Sequence, residues 1–288
     1  MFYLITPDLK KISGGNKYDQ NILSYLREKK VTLKNIVANT VKPNLKFFLK
    51  LKRLPNRSTL IIDGLIAFTM SSIIRQLSGK HKIIILVHHP VCYEDKSGSI
   101  ESKLKEKIIF SSACKIITVS KTMSVVIRKI LNKNIKIRVV CPAVDNIYHE
   151  KEHLPTTENN LISVGSIIPR KNIHNIIETM KILDSNWTVS FVGSYTTDQA
   201  YYLKVKSLVD EYNLESRVKF LGNLNNEEDL IELYNQSSAY ICLSNYEGFG
   251  MSNLESAVFG LPLIVSDIDI FRETLRCYDR IYVKQNNP

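Results

Sequence analysis

The chain has 288 residues, 44% of them hydrophobic, which is ordinary globular material and length enough for two domains. No apolar run approaches the ~20 residues of a membrane-spanning helix, and the opening MFYLITPDLKK has too short an apolar core for a secretory leader. Five cysteines (Cys92, Cys114, Cys141, Cys242 and Cys277) are scattered and never form a C-x-x-C pair, which argues against a disulfide framework or a zinc site and fits reduced thiols in the cytosol. The net charge of +11 hides a split, +17 over residues 1–150 and −6 over residues 151–288. Such asymmetry predicts two domains facing different partners, the first near something anionic, although lysine excess for solubility gives the same count.

From the N-terminus, short continuous apolar runs predict strands at Phe2–Pro7, Thr59–Gly64, Lys82–Pro90, Cys114–Ser120 and Ile135–Val144. Continuous rather than alternating apolarity means burial on both faces, as in parallel strands covered by helices. Amphipathic stretches such as Tyr18–Lys29 and Met123–Leu131 supply the helices. The segment VKPNLKFFLKLKR sets Lys42, Lys46, Lys50 and Arg53 on one helical face, with Leu45, Phe48 and Leu49 toward another. That face suits anionic lipid, and it suits an ordinary solvated helix over a core equally well. The polar segment VDNIYHEKEHLPTTENN, Val144–Asn160, breaks the pattern and reads as a linker. Strands then resume at Asn160–Ile168, Trp187–Tyr195, Val218–Leu224, Ala239–Asn245 and Leu261–Asp267. Two successive βαβα runs predict two doubly wound α/β domains, residues 1–150 and 151–288, whose ligands bind beyond the carboxyl ends of the strands.

Residues just after the strands therefore carry the chemistry. After Asn160–Ile168 come Pro169, Arg170, Lys171 and Asn172, then a helix patterned by Ile173, Ile176, Ile177 and Met180. Two cations at a helix N-terminus oppose its dipole at ~0.3–1 kcal/mol each. The placement becomes favourable if an anion sits there, because cations and free N–H groups converge on it. Side chains turned into solvent are the alternative. The stretch EGFGMSNLE repeats the idea, with Gly248 and Gly250 opening a helix so that backbone N–H groups can approach a phosphate. Ser252-x-x-Glu255 reads equally as a capping box. Capping leaves Glu247 unexplained. An anion seat flanked by carboxylates suits a ligand with phosphates and hydroxyls together, which describes a nucleotide sugar. His88, His89 and Cys92 find no further ligands nearby in sequence, so no metal is expected.

Glu247-x7-Glu255 within EGFGMSNLE, preceded by VGSIIPRKN and FLGNL, resembles the retaining GT-B glycosyltransferases of family 4. ISGG at 12–15, LVHHP, ITVSK and CPAVDNIY are similar to that family's N-terminal landmarks, in the expected order, so the likeness covers almost the whole chain. It implies the GT-B fold: two doubly wound Rossmann-like domains facing each other across a cleft, the first for the acceptor and the second for the donor. The implied reaction is metal-independent transfer of a sugar from a nucleotide-diphospho sugar to a hydroxyl acceptor, with retention of anomeric configuration and no cofactor beyond the donor. Arg170 and Lys171 would neutralise the diphosphate in place of a metal. Glu247 would hold the sugar, backbone amides near Phe249, Gly250, Met251 and Ser252 the phosphate, and Glu255 the ribose hydroxyls. Gly14, Gly15 and Gly248 would let backbone approach the substrates. His88 matches the family's active-site histidine, with His89 as second choice. Family breadth and the basic first domain point to cell-envelope or polysaccharide glycan assembly in the cytoplasm. Peripheral contact with the inner face of the membrane, through Lys42, Lys46, Lys50 and Arg53, would fit a lipid-linked acceptor.

Family members usually continue for several dozen residues past the equivalent of RIYVKQNNP. The second domain is therefore expected to be incomplete, and a truncated nucleotide-sugar-binding protein without catalysis is an alternative. Gly248-x-Gly250 followed by Asp267 mimics the fingerprint of an NAD-dependent oxidoreductase, but Asn253 stands in place of the third glycine and the motif falls late in its domain. Asp267-Ile268-Asp269 mimics the D-x-D of metal-dependent glycosyltransferases, almost at the end of the chain. Both rank below GT-B. Nucleic acid is not expected, since the charge comes without the aromatic-plus-basic motifs of known modules.

Overall fold

The computed structural model describes residues 1–10, 13–38, 45–93, 100–131, 134–148, 159–224 and 226–284. Two units divide at Ala143/Val144. The first runs β1 (Phe2–Thr6), α1 (Gly14–Glu28), β2 (Leu33–Val37), α2 (Leu45–Lys52), β3 (Thr59–Asp63), α3 (Gly64–Thr69) and α4 (Ser71–Ser78). It continues through β4 (Lys82–Val87), α5 (Ile100–Ser112), β5 (Lys115–Thr118), α6 (Lys121–Ile130) and β6 (Ile137–Val139). Its strands form one parallel sheet in the order β2-β1-β3-β4-β5-β6. Ile5, Leu60, Ile62, Ile85 and Ile116 are wholly enclosed, as central strands covered on both faces require. Ile74 and Leu77 of α4, Ile109 and Phe110 of α5, and Ile127 of α6 close over them. Each such side chain contributes roughly 1.5–3 kcal/mol by leaving water.

The second unit runs β7 (Asn160–Val164), α7 (Ile173–Ile182), β8 (Thr188–Val192), α8 (Gln199–Glu211), β9 (Val218–Gly222) and α9 (Glu227–Asn235). Then follow β10 (Ala239–Cys242), α10 (Met251–Phe259), β11 (Leu263–Ser266), α11 (Asp269–Thr274) and β12 (Arg280–Val283). Its parallel sheet has the order β12-β11-β10-β7-β8-β9. Successive strand residues alternate between two apolar clusters: Leu161 and Ile241 join α7 and α8, whereas Ile162, Tyr240 and Cys242 join α9, α10 and α11.

All ten expected strands form. The two that the apolar runs did not reveal, β2 and β12, are the outer strands of their sheets, half-buried and without a continuous apolar run. The segment read as a linker begins inside the second unit. Its start makes a 3-10 turn, Asn146–Tyr148, and the 1%-exposed Tyr148 stacks toward Tyr234 in that unit's core. Residues 149–158 lie outside the described residues, as do Ile12 and Lys42.

In each sheet the chain leaves one central strand in one direction and later returns on its other side. These switch points lie between β1 and β3 in the first unit and between β7 and β10 in the second. Helices on opposite faces part there, opening a crevice at the carboxyl ends of the strands.

Candidate active site

In the second unit the switch point collects Arg170 and Lys171 from beyond β7 and Glu247 from beyond β10. Pro169–Lys171 forms a 3-10 turn, and Asn172 at φ 56° redirects the chain into α7. The two cations thus sit immediately ahead of α7, on the turn before its N-cap. They do not bend into solvent. Arg170 Nη1 lies 2.7 Å from Glu247 Oε2, and Lys171 Nζ lies 2.8 Å from Glu247 Oε1. Ser244 donates to the same Oε1 at 2.9 Å, and Arg170 Nη1 also donates to the Tyr246 carbonyl. Burial by itself would raise the Glu247 pKa, but Arg170 and Lys171 outweigh it and hold the carboxyl well below the usual range. Glu247, unexplained by capping, is the buried counter-ion of these cations. The formal charges of Arg170, Lys171 and Glu247 sum to +1.

Gly165, at the end of β7, lets Lys171 reach this position. Its φ is +147°, and a Cβ there would meet Lys171 Cε at 2.8 Å. Sequence reading passed over Gly165, although a glycine directly after a strand was the available signal.

Beside the cations, α10 begins at Met251 with Gly250 as N-cap, at φ 85° and without a side-chain capping bond. A Cβ at Gly250 would come within 2.8 Å of the Phe271 ring. The capping-box reading is overturned, because Ser252 already lies inside the helix. Its hydroxyl donates to the Val164 carbonyl at 3.0 Å and accepts from Tyr240 at 2.9 Å, pinning the first turn of α10 to the end of β7. Glu255 is buried further along α10, beyond reach of the capping role. The Asn253 amide, 1% exposed, has no hydrogen-bond partner among the described residues. Gly248 and Phe249 form the bend that leads to Gly250.

In the first unit the carboxyl ends of β3 and β4 face α1. His88, following β4, places Nε2 3.2 Å from Asp19 Oδ1 and 3.4 Å from Asp63 Oδ2. Asp19, on α1, is wholly enclosed, and neither of its oxygens has an aligned hydrogen bond. Asp63 ends β3 and accepts the amides of Leu65 and Ile66 on Oδ1, capping α3 and leaving Oδ2 for the histidine. The Tyr18 ring meets the imidazole edge-on at 5.4 Å, and its hydroxyl donates to Val140. Burial would lower the His88 pKa, but the two carboxylates raise it to about 10. The imidazole thus holds its second ring proton well above the ordinary histidine range. Gly15 stands in the first turn of α1, where a Cβ would touch His88 Cδ2 at 3.3 Å; Gly14 opens that helix and Ser13 caps it.

The expectation that His88 lacks nearby ligand groups is corrected here. Among the described residues, Asp19, Asp63 and His88 bring their donor atoms within 4.8 Å of one another, a spacing that would also admit a cation. Cys92 takes no part: its amide and that of Val91 donate to the buried Glu106, which braces the loop after β4. Sequence reading missed both carboxylates. Asp63 ends an apolar strand, and Asp19 stands four residues before the buried Leu23 on the inner face of α1, so each had a signal.

The two rival motifs fall elsewhere. Both oxygens of Asp267 take the Arg272 guanidinium, at 2.6 and 2.8 Å, so the D-x-D position is filled by an ion pair. Gly248 and Gly250 follow the unit's fourth strand, not the first βα turn that a dinucleotide fingerprint occupies. On α2, Lys46 and Lys50 are exposed, as is Arg53 just after it; Phe48 and Leu51 are buried, and Leu49 is 40% exposed.

Comparison with known proteins agrees with this architecture. The O-antigen chain mannosyltransferase RfbU of Salmonella typhimurium is 32% identical over 166 residues, 56% of this chain and 45% of that protein. The chain thus aligns with less than half the length of that relative. Sucrose-phosphate synthase from Thermosynechococcus elongatus superposes with a TM-score of 0.79 at 18% identity, over 100% of this chain and 87% of that one. Anabaena HepE, solved with UDP and glucose, gives 0.73 at 13% identity, over 99% and 86%. The fold is GT-B: two parallel six-stranded sheets layered with helices. The profile described as glycosyl transferases group 1 matches residues 144–288, and the chain belongs to that family.

Proposed function

We propose that the chain is a retaining, metal-independent glycosyltransferase of family 4. It moves a sugar from a nucleotide-diphospho sugar to a hydroxyl acceptor in cell-envelope or polysaccharide assembly. One observation carries this reading: a buried cluster whose formal charges sum to +1, Arg170, Lys171 and Glu247, beside the uncapped N-terminus of α10 at the β7/β10 switch point. That combination takes phosphate. The names of RfbU and of the HepE complex with UDP and glucose support a hexose donor and an envelope glycan.

Arg170 and Lys171 neutralise the diphosphate as it leaves, and the amides of Gly250, Met251 and Ser252 bind its oxygens. Glu247 holds those cations in place and turns an edge to the sugar, while Glu255 takes the ribose hydroxyls. The bond from the anomeric carbon to phosphate breaks, the bond to the acceptor oxygen forms on the same face, and the acceptor proton passes to the leaving phosphate. The first unit takes the acceptor, with His88, Gly14 and Gly15 at its site. No described helix is long and apolar enough to cross a membrane. The exposed cations Lys46, Lys50 and Arg53, with Lys42 before them, rest on anionic lipid at the cytoplasmic face and bring a lipid-linked acceptor within reach.

Calorimetric titration with UDP, GDP and ADP in EDTA tests the donor site. One nucleoside diphosphate is expected to bind, and Arg170→Ala and Lys171→Ala each to weaken it about tenfold or more, since a lost charge-assisted bond costs roughly 1.5–3 kcal/mol. Unchanged affinity in both variants overturns the phosphate seat. The matching nucleotide sugar, followed by NMR of the anomeric proton, decides retention, and binding without transfer leaves the non-catalytic reading.

A further inference from the structure

Nε2 of His88 is enclosed between two carboxylates that arrive from different elements, Asp19 from α1 and Asp63 from the end of β3. Tyr18 meets the ring edge-on from α1, and Gly15 of the same helix leaves the space beside it that a Cβ would enter at 3.3 Å from Cδ2. Of its two nitrogens, Nε2 is the one that is cut off from solvent without an aligned partner among the described residues. Nδ1 is therefore the nitrogen left to meet a ligand. A neutral imidazole with its proton on Nε2 would offer Nδ1 only as an acceptor, whereas a doubly protonated ring offers it as a donor.

We propose that Asp19 and Asp63 are positioning residues that clamp Nε2 and keep His88 an imidazolium, so that Nδ1–H serves as a charged hydrogen-bond donor to a substrate oxygen and not as a general base. The charge balance favours this state. Burial raises the Asp19 pKa and the imidazole beside it pulls it back down, so a proton on the ring places positive charge where two carboxylates converge. The groups facing the ring are Asp19 and Tyr18 from α1 and Asp63 from β3, with His89 next along its own segment. Two of these are acids, and the phenol of Tyr18, raised by burial and then by Asp19, adds no positive charge. The catalytic part of this inference rests on the glycosyl-transfer reading; the clamp itself does not.

The test is ring ¹⁵N NMR of the full chain across pH, with His88 assigned by His88→Gln. Wild-type His88 is expected to keep both ring protons beyond about pH 8, while Asp19→Asn and Asp63→Asn each lower its titration by roughly 1–3 units. Asparagine preserves the α3 cap at position 63, so that variant keeps its fold. Steady-state rates then give the functional readout. The alkaline limb of kcat moves to lower pH in both variants, with KM for the donor little changed. A wild-type His88 that titrates near the ordinary histidine value of about 6.5 overturns the clamp. So does a His88 signal that zinc chloride shifts at neutral pH and EDTA restores, since the site then holds a metal where the proton was assigned. Protonation as expected with no transfer from any nucleotide sugar supports the clamp and removes the glycosyl-transfer reading.

Discussion

The two units place a buried charged cluster at the same topological position with opposite balance. At the β1/β3 switch point two carboxylates share one imidazole; at the β7/β10 switch point two cations share one carboxylate. The first sets two acids against one base, and the second sets two bases against one acid. The fold supplies a crevice in both cases, and the residues that end the strands decide which charges meet there.

The sharpest break in this comparison is Glu247→Gln. It leaves Arg170 and Lys171 without their counter-ion, and removing one partner of a buried pair costs about 3–5 kcal/mol. Urea unfolding is expected to show that loss, with partial recovery on adding the nucleoside diphosphate that binds. A loss below about 1 kcal/mol would mean that solvent already screens the cluster.

The pH response separates the clusters next. The folded-state pKa of His88 is raised from 6.5 to about 10, so its stabilisation is fully present below pH 6.5 and lost as pH rises through about 10. The loss is at most on the order of 5 kcal/mol. For Glu247 the pKa is depressed: its contribution is present at neutral pH and lost only as pH falls well below the carboxylate range. Unfolding curves in alkali should therefore flatten in His88→Gln, and those in acid in Glu247→Gln. If either variant kept the wild-type limb, the assignment of that limb would be wrong.

The smallest effect is expected from Gly165→Ala, where a Cβ is both strained at φ +147° and set against Lys171. Roughly 1–3 kcal/mol of stability should go, and nucleotide affinity with it, because Lys171 must shift. Loss of stability at constant affinity would separate the backbone strain from the lysine's placement.

How much of this was legible can be read from particular residues. Arg170, Lys171 and Glu247 stood out because each violates a local rule, cations ahead of a helix and an acid that no cap explains. Their answer to one another was hidden, since it depends on β7 and β10 being neighbours across 76 residues of chain. Asp19 is one polar residue among several on α1 and Asp63 caps α3, so neither is set apart by its local sequence alone. Ser252 and Glu255 matched a capping box in spacing, but Gly250 starts the helix earlier and commits the serine hydroxyl to Val164.

The sequence by itself determined the two α/β units, the positions of their buried strands along the chain and the kinship carried by its motifs, because apolar periodicity and strand-end residues are local signals. Tertiary structure alone decided which charges meet. Parallel strands are joined through helices, so the side chains that share a crevice are distant in sequence, and only the finished strand order sets a carboxylate beside a histidine or between two cations.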